Sequence, residues 1–212
     1  MRYVPLLALI VLLGCNGKKK YHPDPQEVSL DTTVYGGLLK FQKELNKTFR
    51  NPETSPLPDR YRKNFEGLAF FKPDTNYRVK ARLVRTPDAI PFLMPTTTSR
   101  KTKEKVYGIV HFELNGNEYE LELYQNSGEP TDAVDENYLF LPFLDATNGE
   151  ETYAGGRYID LSIPQGDTIV IDFNKAYNPY CVYNKKYSCP LVPRINALPI
   201  KVAAGVKMFV PN

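Results

Sequence analysis

Lys105-Val-Tyr-Gly-Ile-Val-His-Phe-Glu-Leu114, then Asn115-Gly116-Asn117, then Glu118-Tyr-Glu-Leu-Glu-Leu-Tyr124 is the stretch that decides the fold. Asn and Gly accept the positive φ that a tight turn between antiparallel strands requires, so this link predicts a β-hairpin. In the second arm Tyr119, Leu121 and Leu123 fall on one side of a two-residue period. Glu118, Glu120 and Glu122 fall on the other, an acidic row that reads as a solvated face rather than a metal site. In the first arm His111 keeps company with Tyr107, Ile109 and Glu113 on the polar side.

The same alternation recurs outward from the hairpin. Tyr77, Val79, Ala81 and Leu83 interleave with Arg78, Lys80, Arg82 and Val84, which predicts a half-buried strand. Further strands are expected over residues 138–144, 157–163, 168–173 and 199–210, with short ones at 68–71 and 90–94. Arg100, Lys101, Lys103 and Lys105 fall between strands and read as an exposed loop. No aromatic residues interleave with them as a nucleic-acid platform needs, so nucleic acid is not an expected partner. Before the strands, Leu38, Phe41, Leu45 and Phe49 recur at helical spacing among Lys40, Lys43, Glu44 and Lys47. This is an amphipathic helix that ends before Pro52 and covers one face or end of a sheet. With turn signals between strands and no βαβ alternation, the expected fold is mainly β: an antiparallel β-sandwich or barrel with an N-terminal helix.

Composition sets the scale. The chain has 212 residues, 42% of them apolar, which suits one domain, expected over residues 34–212. Its 11 Phe and 15 Tyr can build a real core, and a net charge of +3 argues against an acidic tail. Only 2 His are present, one of them His22 near the N-terminus, which disfavours Ser-His-Asp and Cys-His chemistry. Nothing in the pattern calls for a metal or another cofactor.

The N-terminus reads as an address. Arg2 precedes an apolar run from Val4 to Leu13, too short for a membrane span, which needs about 20 residues. The run ends in Leu12-Leu13-Gly14-Cys15, which resembles a bacterial lipobox with cleavage before the cysteine. Residues 1–14 are then a lipoprotein signal peptide and Cys15 the lipidated N-terminus. Residues 15–33, with Lys18, Lys19 and Lys20, form a solvated tether. The expected location is the cell envelope, anchored to the membrane at Cys15 and facing the periplasm. In such a compartment Cys181 and Cys189 default to a disulfide, with a reactive thiol pair as the alternative.

Polar and aromatic residues crowd the last third. Gly149-x-x-Thr152-Tyr153, Gly156-Arg157-Tyr158, Asp172-Phe-Asn174-x-Ala-Tyr177-Asn178-Pro-Tyr180-Cys181 and Cys189-Pro-Leu-x-Pro-x-x-Asn196 stand close together. These stretches resemble the bacterial domain-of-unknown-function family 1684, and the likeness runs from about Leu38 to Lys207. The resemblance implies no activity, since the family has none assigned. One departure is visible: the family usually has an acidic residue after Ala-Gly, where this chain reads Ala204-Gly205-Val206-Lys207.

Two functional readings follow from these residues. In the first, the domain is non-catalytic, and Tyr153, Arg157, Asp172, Asn174, Tyr177 and Asn178 line a pocket for a small ligand or an envelope protein. Tyr158, Tyr180 and Tyr183 offer further rings, and Arg157 can alternatively pair internally with Asp172 or Asp145. In the second, the protein is an envelope enzyme. It is either a hydrolase of glycan or lipid using carboxylates among Asp145, Glu151 and Asp172, or a thiol redox protein using Cys181 and Cys189. Asp145-x-Thr147-x-Gly149-x-Glu151 faintly resembles a calcium loop, with its glycine out of register.

Overall fold

The computed structural model of the chain describes residues 34–128 and 136–210. The leader, Cys15 and the tether lie outside the described residues. Helix α1 (Val34–Arg50) is followed by a short helix α2 (Asp59–Arg62). Seven strands come next: β1 (Arg78–Arg85), β2 (Phe92–Pro95), β3 (Lys101–Leu114), β4 (Asn117–Asn126), β5 (Tyr138–Phe143), β6 (Arg157–Ser162) and β7 (Thr168–Asp172). They form one antiparallel sheet in the order β6-β5-β4-β3-β1-β7, with β2 paired to β3. The sheet curls into a half-barrel, so the mainly β, antiparallel expectation describes the fold.

The β3–β4 hairpin is the spine. Asn115 and Gly116 turn it at φ 53° and 76°, the left-handed region that these residue types tolerate. Strand β3 runs longer than the alternation suggested. Lys101, Thr102, Lys103 and Glu104 pair with Pro95, Met94, Leu93 and Phe92 of β2. The basic segment is therefore mostly strand, a correction of the expected loop: its lysines sit on a ladder that a neighbouring strand completes.

A bulge between Val106 and Gly108 interrupts the β3–β4 register. It bends the strand, so that one half serves β2 and the other half β1. The bulge also buries Tyr107 instead of leaving it on the polar side with His111. At Gly108 a Cβ would stand 2.6 Å from Val84 O, so only glycine lets β1 approach this closely.

The core lies inside the curl. Val79, Ala81 and Leu83 of β1, Val110 and Phe112 of β3, Leu121 and Leu123 of β4, and Leu139 and Leu141 of β5 meet Phe173, Leu198, Val202 and Ala204. Residues 199–210, expected as a strand, form coil instead, with one isolated bridge between Val206 and Phe70. The segment at 68–71 contributes only that bridge. This coil closes the open side of the half-barrel, and its backbone groups are satisfied mostly by loops and side chains rather than by a ladder.

On the other face, Met94, Tyr124, Phe140 and Tyr158 form a second apolar layer. Helix α1 closes one end through Phe49, which packs with Leu57, Leu68, Tyr183 and Val206. No helix among the described residues is long and apolar enough to cross a membrane.

Candidate functional site

The polar motifs of the last third divide into an interior network and an exposed groove. Arg157 begins β6 after Gly156, whose φ is 88° and whose Cβ would stand 2.6 Å from Phe143 O. That close approach sends the guanidinium inward. It is fully buried and donates to Asp145 Oδ2 at 2.7 Å and Val202 O at 2.8 Å, and also to Ala204 O. Asp145 Oδ1 accepts from the backbone N–H groups of Thr147 at 2.8 Å and Val202 at 3.1 Å. The carboxylate is thus fully coordinated by the protein itself, which also accounts for the faint calcium-loop pattern.

Asn174, Asn178 and Asn196 do related work. Asn174 accepts from Asp74 N at 2.9 Å and donates to Asp74 O at 2.8 Å, as a strand partner would. Asp172 Oδ1 in turn accepts from the Asn174 backbone at 3.2 Å and side-chain amide at 2.9 Å. Asn178 donates to Lys207 O at 3.0 Å, and Asn196 bridges β4 and β5 through Glu122 N, Glu122 O and Pro142 O. Buried backbone groups must find partners, and where coil replaces a ladder these side chains supply them. Arg157, Asp172, Asn174 and Asn178 are all buried.

Tyr177 lies in a different place. Its backbone exchanges hydrogen bonds with Tyr158 at 2.9 and 3.0 Å, which seats residues 173–190 along the outer edge of β6. Between this segment and α1 runs a groove of about 350 Å³. Phe41 and Leu45 of α1 form one wall, and Tyr158, Tyr177, Tyr180 and Tyr187 the others. Ser188, Cys189 and Pro190 complete the lining, and the Tyr158 hydroxyl donates to Pro190 O.

The rings meet edge to face: Tyr158 and Tyr177 stand at 89° and 5.9 Å, Tyr180 and Tyr187 at 65° and 5.4 Å. Asp160 is the groove's one carboxylate. Its Oδ1 accepts from the Tyr177 hydroxyl at 2.6 Å and from the Tyr138 hydroxyl at 2.8 Å. Burial first, then the Asp160 charge, push both phenols far above their ordinary range, so they stay protonated and donate.

The cysteines lie beside this groove as free thiols, not at bonding distance. The disulfide expected from the compartment is not present in the structure. The Cys189 sulfur instead accepts from the Cys181 backbone N–H at 3.2 Å. The hydrogen bond from the Cys189 thiol holds Cys181 below the usual thiol range, and the same bond, with burial, pushes Cys189 up. Tyr153 is half-buried near both sulfurs, its ring folded over Gly155.

Of the six residues first expected to line a pocket, only Tyr177 lines the groove; of the further rings, Tyr158 and Tyr180 join it and Tyr183 does not. Asp160, Tyr187, Phe41 and Leu45 were not singled out as site residues. Asp160 carries a signal of its own, a charge set between the apolar Ile159 and Leu161 of β6. Phe41 and Leu45 belong to the apolar stripe of the helix, and half-buried positions of that kind serve both packing and lining. Among the carboxylates, Glu151 is exposed with Lys201 Nζ 3.5 Å away, and Asp172 faces Arg78 Nε at 3.9 Å. His111 lies on the sheet surface, 3.6 Å from Glu120.

A search of curated proteins finds no match to the chain. Among solved structures, an uncharacterized protein of Haloarcula marismortui determined by solution NMR is 32% identical, with a TM-score of 0.63. The match covers 81% of this chain and 92% of that one. The family model described as Protein of unknown function (DUF1684) matches residues 63–207, from before β1 to the coil that closes the curl, and the chain belongs to that family.

Proposed function

We propose that the chain is a lipid-anchored protein of the cell envelope, held by a diacylated Cys15 and facing the periplasm, whose domain binds a ligand without transforming it. The groove between α1 and residues 177–190 is the binding site in this reading. One observation carries it: four tyrosine rings and two apolar side chains line a mainly apolar groove of about 350 Å³ with one carboxylate on its wall. That is the usual anatomy of a small-molecule site, apolar walls with few polar groups that fix orientation. The anchor rests on the leader pattern alone. Mass spectrometry of the mature protein tests it, with a chain starting at a diacylglyceryl Cys15 as the expected result and an unmodified N-terminus as the contradicting one.

Thermal melting of the full chain across a panel of small apolar and amphipathic molecules tests the groove. A true ligand at a hundred times its dissociation constant adds about 2.7 kcal/mol of stability. The gain should vanish in Tyr187→Ala, a half-buried rim residue. A panel with no response, or hits indifferent to that substitution, contradicts the reading.

A second reading is favoured by the contact between Cys181 and Cys189. In thiol–disulfide exchange the two thiols close to a disulfide as a substrate disulfide opens to two thiols. The hydrolase reading has no such support, because Asp145 and Asp172 are engaged in internal networks.

A further inference from the structure

We propose that the groove is built for an organic ammonium ion, a compact cation with apolar substituents; this deepens the binding reading and rests on it. Asp160 provides the first argument. It is exposed, it accepts two tyrosine hydroxyls on one oxygen, and among the described residues no Lys, Arg or His forms an ion pair with it. Six other carboxylates among the described residues meet a Lys or Arg within 4.0 Å, at Glu44, Asp59, Asp145, Glu150, Glu151 and Asp172. A carboxylate set into an aromatic wall with its counter-charge left to solvent is suited to a visiting cation.

The rings provide the second argument. The face of a tyrosine ring carries negative quadrupole charge and attracts ammonium groups, most of all methylated ones whose shells are apolar. Rings set at a steep angle make adjoining walls, and Tyr158 with Tyr177 at 89° and Tyr180 with Tyr187 at 65° are two such pairs. The rim already accommodates positive charge: Lys186 Nζ lies 5.0 Å from the Tyr187 ring centroid. Phe41, Leu45 and Pro190 then face the substituents rather than the charge. A strongly hydrated metal ion or a bare ammonium would leave these apolar walls unused, whereas an alkylated ammonium uses both.

Calorimetric titration of the full chain in a non-ionic detergent tests the assignment, with choline against its neutral isostere 3,3-dimethylbutan-1-ol. Choline should bind at least tenfold more tightly than the alcohol. Asp160→Asn should erase that difference. Its amide oxygen still accepts from Tyr138 and Tyr177, so the fold is kept, and an unchanged melting temperature verifies this. Tyr187→Ala, at the rim, should weaken choline about tenfold. Glycerophosphocholine is the third titrant: binding tighter than choline assigns a lipid-derived headgroup, weaker binding a free ammonium, and either supports the site. Equal affinity for choline and the alcohol, or a choline affinity unaltered by Asp160→Asn, overturns the ammonium assignment and leaves the groove standing. Failure of choline together with every member of the apolar panel overturns both.

Discussion

Arg157 Nη2 donates to Asp145 Oδ2 at 2.7 Å, and neither side chain has any solvent exposure. The most conspicuous charged residue of the Gly-Arg-Tyr motif is thus a strut between β6 and the coil that closes the curl, through Val202 O and Ala204 O. Removing one member of a buried pair leaves the other charged and unpaired, at a cost of about 3–5 kcal/mol. Arg157→Ala should lower stability by that amount in urea melts. Asp145→Asn, which keeps the size and one acceptor, should also destabilise. Wild-type stability in Arg157→Ala would remove the strut from the account.

Asn196 is a second strut, fully buried and bonded to Glu122 N at 2.8 Å, Glu122 O at 2.9 Å and Pro142 O at 2.8 Å. Strands β4 and β5 share only the Tyr124–Phe140 pair, so this amide stands in for missing ladder bonds. Asn196→Ala leaves one buried and two part-buried backbone groups without this partner and should cost about 3 kcal/mol. Amide hydrogen exchange at Glu122 should accelerate along with it. Unchanged protection there counts against the role.

How much of this was legible depended on whether a residue announced its partner. The hairpin did, because Asn115-Gly116 and the Leu121, Leu123 alternation are local signals. Helix α1 did also, from the spacing of Leu38, Phe41, Leu45 and Phe49. The coil at 199–210 did not. Its apolar residues look like a strand, but its carbonyls are claimed by Arg157 and Asn178, which lie far away in sequence. The same long-range bonding explains why Asn174 and Asp172 looked like ligand residues: a buried Asn that mimics a backbone partner and an Asn that meets a ligand are identical in composition. Asp160 does not stand out in the sequence because what sets it apart, a place in the aromatic wall with two tyrosine hydroxyls on one oxygen, exists only in three dimensions.

The thiol pair gives a pH signature. Cys181 is half-buried, and the Cys189 thiol bonded to it favours its thiolate. In the fold Cys181 therefore binds fewer protons than in the unfolded chain below the ordinary thiol value of about 8.5. Stability should rise with pH across that window and lose its Cys181 contribution as pH falls below it. Cys189, shifted upward, does not titrate there. Iodoacetamide should label Cys181 first, with a midpoint well below that of free cysteine, and Cys181→Ser should abolish both the labelling and the slope. Labelling of Cys189 first, or a midpoint at the free-cysteine value, contradicts this order.

The central claim is that the aromatic groove, and not the buried polar motif, is where the protein meets its ligand. The most direct measurement is a titration of the isotope-labelled full chain with benzyltrimethylammonium, followed by aromatic and amide NMR shifts. Shifts are expected at Phe41, Tyr158, Asp160, Tyr177, Tyr180 and Tyr187, with Arg157, Asn174 and Asn196 unmoved. Shifts gathered around Arg157 and Asp145, or none at the four tyrosines, would contradict it.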